Sequence, residues 1–71
     1  MRLSDEVAFT REAYEAALTL VREIVAAEGG VTVARLRDAM AASRRPVLAF
    51  LEHLDAERIT RRQGDIRTLR S

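Results

Sequence analysis

Two groups of arginines carry most of the chemistry open to this sequence. Arg44 and Arg45 follow Ser43, and Arg61, Arg62, Arg67 and Arg70 bracket Gly64-Asp65. A guanidinium is permanently charged, presents a planar fork of donors to phosphate or guanine, and stacks on bases. All twelve basic residues are arginine. The twelve alanines beside them fit a codon bias, which accounts for the missing lysines but not for position. Residues 31–71 hold nine arginines against five acids, whereas residues 1–30 hold three against six. For any single arginine, an ion pair with a neighbouring acid is the commoner role. Four of them around a Gly-Asp turn, with two more beside a serine, favour binding of a phosphate-rich partner.

Other chemistries are excluded or unsupported. There is no cysteine, so neither a disulfide nor a thiolate metal site is possible. One histidine, His53, cannot make a zinc cluster, and its place in mid-helix gives it no catalytic part. No Ser/His/Asp or paired-carboxylate arrangement fits, and a self-contained catalytic pocket with its supporting shell needs more chain than 71 residues. The expectation is a binding domain, not an enzyme, with no metal and no cofactor. No apolar run approaches the roughly 20 residues of a membrane span. Met1 to Phe9 lack the apolar centre of a secretion signal, so a cytoplasmic protein is expected. With 48% hydrophobic and 32% charged residues, the chain reads as one small globular domain.

These arginines have to be positioned by short elements. Thr10 is a good N-cap for a first helix, with Phe9 and Tyr14 spaced as a hydrophobic staple. Tyr14, Ala17, Leu18, Val21, Ile24 and Val25 form one apolar stripe, and Gly29-Gly30 stops the helix. Residues 1–9 show no clear period and read as an extended lead-in, with Leu3 or Val7 reaching the core; the domain proper spans 10–71. Val31 to Val33 suit a single rung of a sheet. Thr32 caps a second helix with Val33, Leu36 and Met40 inward and Arg35, Arg37 and Asp38 outward. Ala41-Ala42 connect to a third helix capped by Ser43, with Pro46 in its first turn and Val47, Leu48, Phe50, Leu51 and Leu54 as its apolar set. Ile59 to Gln63 and Ile66 to Arg70 then form a hairpin about Gly64-Asp65. Alternation along the second strand is imperfect, and the choice of inward residue between Ile66 and Leu69 stays open.

Helix, rung, helix, tight turn, helix and hairpin is the order of an α+β winged helix: a three-helix helix-turn-helix with a small antiparallel sheet and one wing. Arg44 and Arg45 then occupy the first turn of the helix that meets nucleic acid. Its free N–H groups add a phosphate site, and Ser43 either caps the helix or spares its hydroxyl for a phosphate. The later half of that helix carries Glu52, Asp55 and Glu57, which would meet phosphates if it lay along a groove. Contact by two tips suits a compact RNA hairpin better than a long duplex. Asp65 makes the turn by bonding its own backbone; the sharper alternative is that it accepts from bases or orients Arg67. The rival readings are a winged-helix DNA-binding transcription regulator, which would dimerise, and a winged helix binding an acidic protein.

The segments Phe9-Thr10-Arg11-Glu12-Ala13, Gly30 to Asp38, Ser43-Arg44-Arg45, Leu51-Glu52-His53-Leu54-Asp55 and Thr60-Arg61-Arg62-Gln63-Gly64-Asp65-Ile66-Arg67 together resemble the last winged-helix domain of the bacterial selenocysteine-specific elongation factor family, SelB. The resemblance spans nearly the whole chain, and its most specific part is the Ser-Arg-Arg turn combined with the Thr-Arg-Arg-x-Gly-Asp-x-Arg wing. It implies RNA binding, with the SECIS hairpin of selenoprotein mRNA as partner. Ser43, Arg44 and Arg45 would make the helix-tip contacts, and Arg61, Arg62, Gly64, Asp65 and Arg67 those of the wing. GTP, selenocysteinyl-tRNA and the ribosome would be met by other parts of such a factor, since no G-x-x-x-x-G-K-[ST] loop occurs here. A monomer is expected. Two residues depart from the family pattern: Pro46 replaces an aromatic, and Arg58 replaces the glycine that turns the third helix into the sheet.

Overall fold

A computed structural model describes residues 9–70. Helix α1 (Arg11–Glu28) begins where the Thr10 side chain accepts from the Ala13 amide at 3.0 Å. It ends at Gly29, whose φ of 85° no other residue adopts cheaply. Ala17, Val21 and Ile24 are buried, and Tyr14, Leu18, Leu20 and Val25 pack half-buried beside them. Phe9 and Tyr14, expected to staple the helix start, converge on a shared partner. Phe9 stacks on the Phe50 ring at 5.5 Å and Tyr14 meets it edge-on at 5.4 Å. Apart from Phe9, the expected lead-in, with Leu3 and Val7, lies outside the described residues.

Helix α2 (Val33–Met40) starts at Thr32, which caps the Arg35 amide at 3.1 Å, and buries Leu36. Arg35 also reaches back to Glu28 at 2.9 Å, joining the start of α2 to the end of α1. That bond, and then the charge of Glu28, raise the Arg35 pKa above its ordinary value. Helix α3 (Arg44–Ala56) buries Val47, Phe50, Leu51 and Leu54. Both α2 and α3 end in the same double hydrogen-bonded turn. The amide of Ala42 donates to the Arg37 carbonyl and Ala41 to Asp38; Ile59 donates to Leu54 and Arg58 to Asp55. This Schellman arrangement needs a left-handed residue and favours glycine there, yet Ala41 (φ 52°) and Arg58 (φ 59°) hold the positions.

Strands β1 (Thr60–Gln63) and β2 (Ile66–Leu69) pair antiparallel, with Arg62 opposite Arg67 and Gln63 opposite Ile66. Gly64 alone of the two turn residues has positive φ, 62°, as in a type II′ turn. Val31 adds the expected rung on the far side of β2, exchanging two 2.8 Å backbone bonds with Arg67. The sheet order is therefore Val31, β2, β1. Gly30 permits this approach, because a Cβ there would stand 2.5 Å from Ile66 Cγ2. Three helices and a small sheet about one core make the winged helix that the sequence predicts.

Candidate nucleic-acid interface

The start of α3 and the wing face each other across a cleft of about 550 Å³. Thr32, Val33, Ala34 and Arg37 at and after the start of α2 line it, with Arg44 and Leu48 of α3 and Arg62, Asp65 and Arg67 of the wing. Four arginines and one acid thus line the opening, and the side chains of Arg37, Arg44 and Arg62 are exposed there. Pro46 occupies the first turn of α3 without breaking it, since the first four amides of a helix have no intrahelical acceptor. Ser43 takes the N-cap backbone geometry but makes no side-chain capping bond, so its hydroxyl is spared.

The structure sorts the expected contacts into three groups. Arg44, Arg62 and Asp65 are exposed and meet at the cleft. Arg62 is held there by its own turn, Nε donating to the Gly64 carbonyl at 2.8 Å. Ser43 and Arg45 are exposed beside the cleft without lining it. Arg61 lies on the other face of the ribbon, as neighbouring strand residues must, and there borders a separate depression with Thr68, Leu69 and Arg70. The wing arginines therefore do not form one tip. They divide between two faces of a two-stranded ribbon.

Arg67 departs furthest from an exposed wing arginine: it is 1% exposed. Its Nε donates to Asp55 Oδ2 at 2.9 Å, while Asp55 Oδ1 accepts from the Thr60 hydroxyl at 2.5 Å. Leu69 shares the inward face with Arg67 and is half-buried, and Ile66 is the exposed one, at 50%. Arg67 Nη2 is buried without any hydrogen-bond partner. An unsatisfied buried donor of this kind costs about 1–3 kcal/mol, more when charged. Arg67 is thus oriented by Asp55, not by Asp65. The Asp65 carboxylate makes no hydrogen bond among the described residues, so its expected bond to its own backbone is not formed.

Sequence reasoning missed Arg37, Asp55 and Thr60. Arg37 is exposed, as expected of its helix face, but that face borders the cleft. Asp55 is taken up by Thr60 and Arg67, leaving Glu52 on the later α3 and Glu57 just past its end as exposed acids. A signal for Arg67 existed: with Leu69 inward, strand alternation carries Arg67 to the same face. Among the described residues there is no cluster of three metal-ligating side chains, and no helix is long and apolar enough to cross a membrane.

A family model described as "Elongation factor SelB, winged helix" matches residues 23–69. The chain belongs to the SelB winged-helix family. The match takes in the end of α1, the helix-turn-helix and the whole wing, and so every residue of the cleft. Among solved structures, the mRNA-binding domain of elongation factor SelB from E. coli in complex with SECIS RNA is similar, with a TM-score of 0.82 and 24% sequence identity. The likeness covers 89% of this chain and 52% of that one, so this chain spans about half of that SelB domain. A search of curated proteins finds no match.

Proposed function

We propose that this SelB-family winged helix is an RNA-gripping module that takes a SECIS-type mRNA hairpin between the tip of α3 and the wing. The observation that carries this reading is the cleft at which Arg37, Arg44, Arg62 and Arg67 meet. Phosphate contacts from exposed Arg44, Arg45 and Arg62 would position the RNA, and the spared Ser43 hydroxyl and the free amides of the α3 start would add donors. Asp65, unbonded and at the cleft, would accept from base N–H groups. Arg61, on the outer ribbon face, would meet a different part of the RNA from Arg62. The likeness to a SelB domain bound to SECIS RNA supports the choice of partner.

The alternative of a DNA-reading regulator is less favoured. A helix laid along a major groove would bring exposed Glu52 and Glu57 towards phosphates, whereas contact through the tip does not. In translation such a module would work in the cytoplasm as a monomer, and GTP, selenocysteinyl-tRNA and the ribosome would engage other parts of the factor.

The test compares a bacterial selenoprotein hairpin, a scrambled hairpin and a duplex DNA. The cognate hairpin should bind best, with log affinity falling against log salt by about 0.7 per phosphate neutralised in unpaired RNA. Arg44→Ala should weaken binding by about 1.5–3 kcal/mol, the usual contribution of a charged hydrogen bond. Equal binding of all three nucleic acids, or no salt dependence, would sink the reading.

A further inference from the structure

The buried network behind the cleft holds more donors than the fold uses. Asp55 spends Oδ1 on the Thr60 hydroxyl and Oδ2 on Arg67 Nε. The guanidinium is therefore gripped by one edge only, and Nη2 keeps no partner although it is buried. A purely structural arginine would be expected to have both ends satisfied, as nearly all buried polar groups are. Arg67 is also one of the residues lining the cleft, beside Arg44, Arg62 and Asp65. A donor that is fixed in place, unsatisfied and next to a binding cleft is prepared for an acceptor from outside the chain.

We propose that Asp55 and Thr60 are positioning residues for RNA reading: they fix Arg67 by its Nε so that Nη2 donates to an acceptor atom of the RNA loop seated in the cleft. The proposal rests on the RNA-binding reading above and assigns a task to a pair of side chains that touch no RNA themselves. The acceptor is a phosphate oxygen or a base oxygen or nitrogen; both offer the lone pair that Nη2 lacks. Because Nη2 is occluded in the free protein, a small parting of the wing from the α3 tip accompanies RNA entry. The lock to Asp55 keeps the guanidinium oriented while this happens, so no rotamer search follows.

The test uses Arg67→Lys, Thr60→Val and the wild-type protein with the selenoprotein hairpin. A lysine at this position keeps a cation within reach of Asp55, but its single nitrogen cannot stand both there and where Nη2 stands, so the donor at the Nη2 position is lost and the ion pair is kept. Arg67→Lys should lose about ten- to a hundredfold in affinity at an unchanged circular dichroism spectrum. Thr60→Val should lose less, by freeing Asp55 to turn. Wild-type protein with ¹⁵N-labelled arginine supplies a readout that needs no variant: the Arg67 Nη protons should shift and slow their exchange when RNA binds. Hairpins carrying single base changes or single methylphosphonates then name the acceptor, since one of them should bind wild type and Arg67→Lys equally. Equal hairpin affinity for wild type and Arg67→Lys, or Nη signals that RNA leaves unmoved, would overturn the proposal while leaving RNA binding intact. A wild-type protein that binds no hairpin would overturn both.

Discussion

Tyr14 sits edge-on to Phe50 and, at 5.6 Å, to His53, so its ring closes the start of α1 over α3. Burial, and then the negative charge of Glu57, raise its phenol pKa above the ordinary value of about 10. The fold thus favours the neutral phenol. Its contribution to stability is whole below about pH 10 and is lost as pH rises through the higher folded-state value. The chain has one tyrosine, so phenolate absorbance follows it without overlap. Its midpoint should lie above that of the unfolded chain, and Glu57→Gln should bring it part of the way back. At this same scale, the sequence was least legible at Arg67. An arginine between Ile66 and Thr68 reads as surface, because charged residues are rarely buried unless paired, and alternation points it inward only once Leu69 is known to be the inward residue. The pairing partner, Asp55, lies on another element, and nothing local in the sequence announces it. The Arg44 position, by contrast, was legible, because a serine cap and a proline in the first turn mark where the helix begins.

Among the elements, the helix ends are the least relaxed parts of the fold. Arg58 closes the Schellman turn of α3 at φ 59°, a conformation that costs a non-glycine residue roughly 1–2 kcal/mol. The sequence signalled this, since the resemblance places glycine at that position, and the structure keeps the turn and accepts the strain. Arg58→Gly should therefore stabilise the domain by about 0.5–1 kcal/mol once the extra freedom of glycine in the unfolded chain is deducted. For a domain of this size that corresponds to a rise of a few degrees in the thermal midpoint, at about 4–8 °C per kcal/mol. Differential scanning calorimetry would read it, and a lowered midpoint would mean that Arg58 makes up its strain elsewhere. Helix caps, glycine stops and the two-residue hairpin were all legible because each is a local rule. The division of the wing arginines between two faces was not, since it follows from which strand face the core claims.

At the scale of the whole molecule, the acidic α1 surface and the basic cleft give the chain a one-sided field that orients an approaching polyanion. The same wing has a second consequence, which concerns copies of this chain meeting one another. In the order Val31, β2, β1, the strand β2 is bridged on its far side at Arg67, while β1 pairs with β2 alone among the described residues. An open strand edge invites pairing with another chain, and charged side chains on that edge oppose it. Arg61 and Arg62 stand on β1, one on each face of the ribbon, so a second copy docking edge to edge would bring like charges into opposition on both faces. These arginines would then keep the domain apart from its own kind before any RNA arrives. Sedimentation of R61T/R62T should show concentration-dependent association where wild type stays monomeric. If both sediment alike at every concentration and salt, the short length of β1 is guard enough and its charges are free to serve the RNA alone.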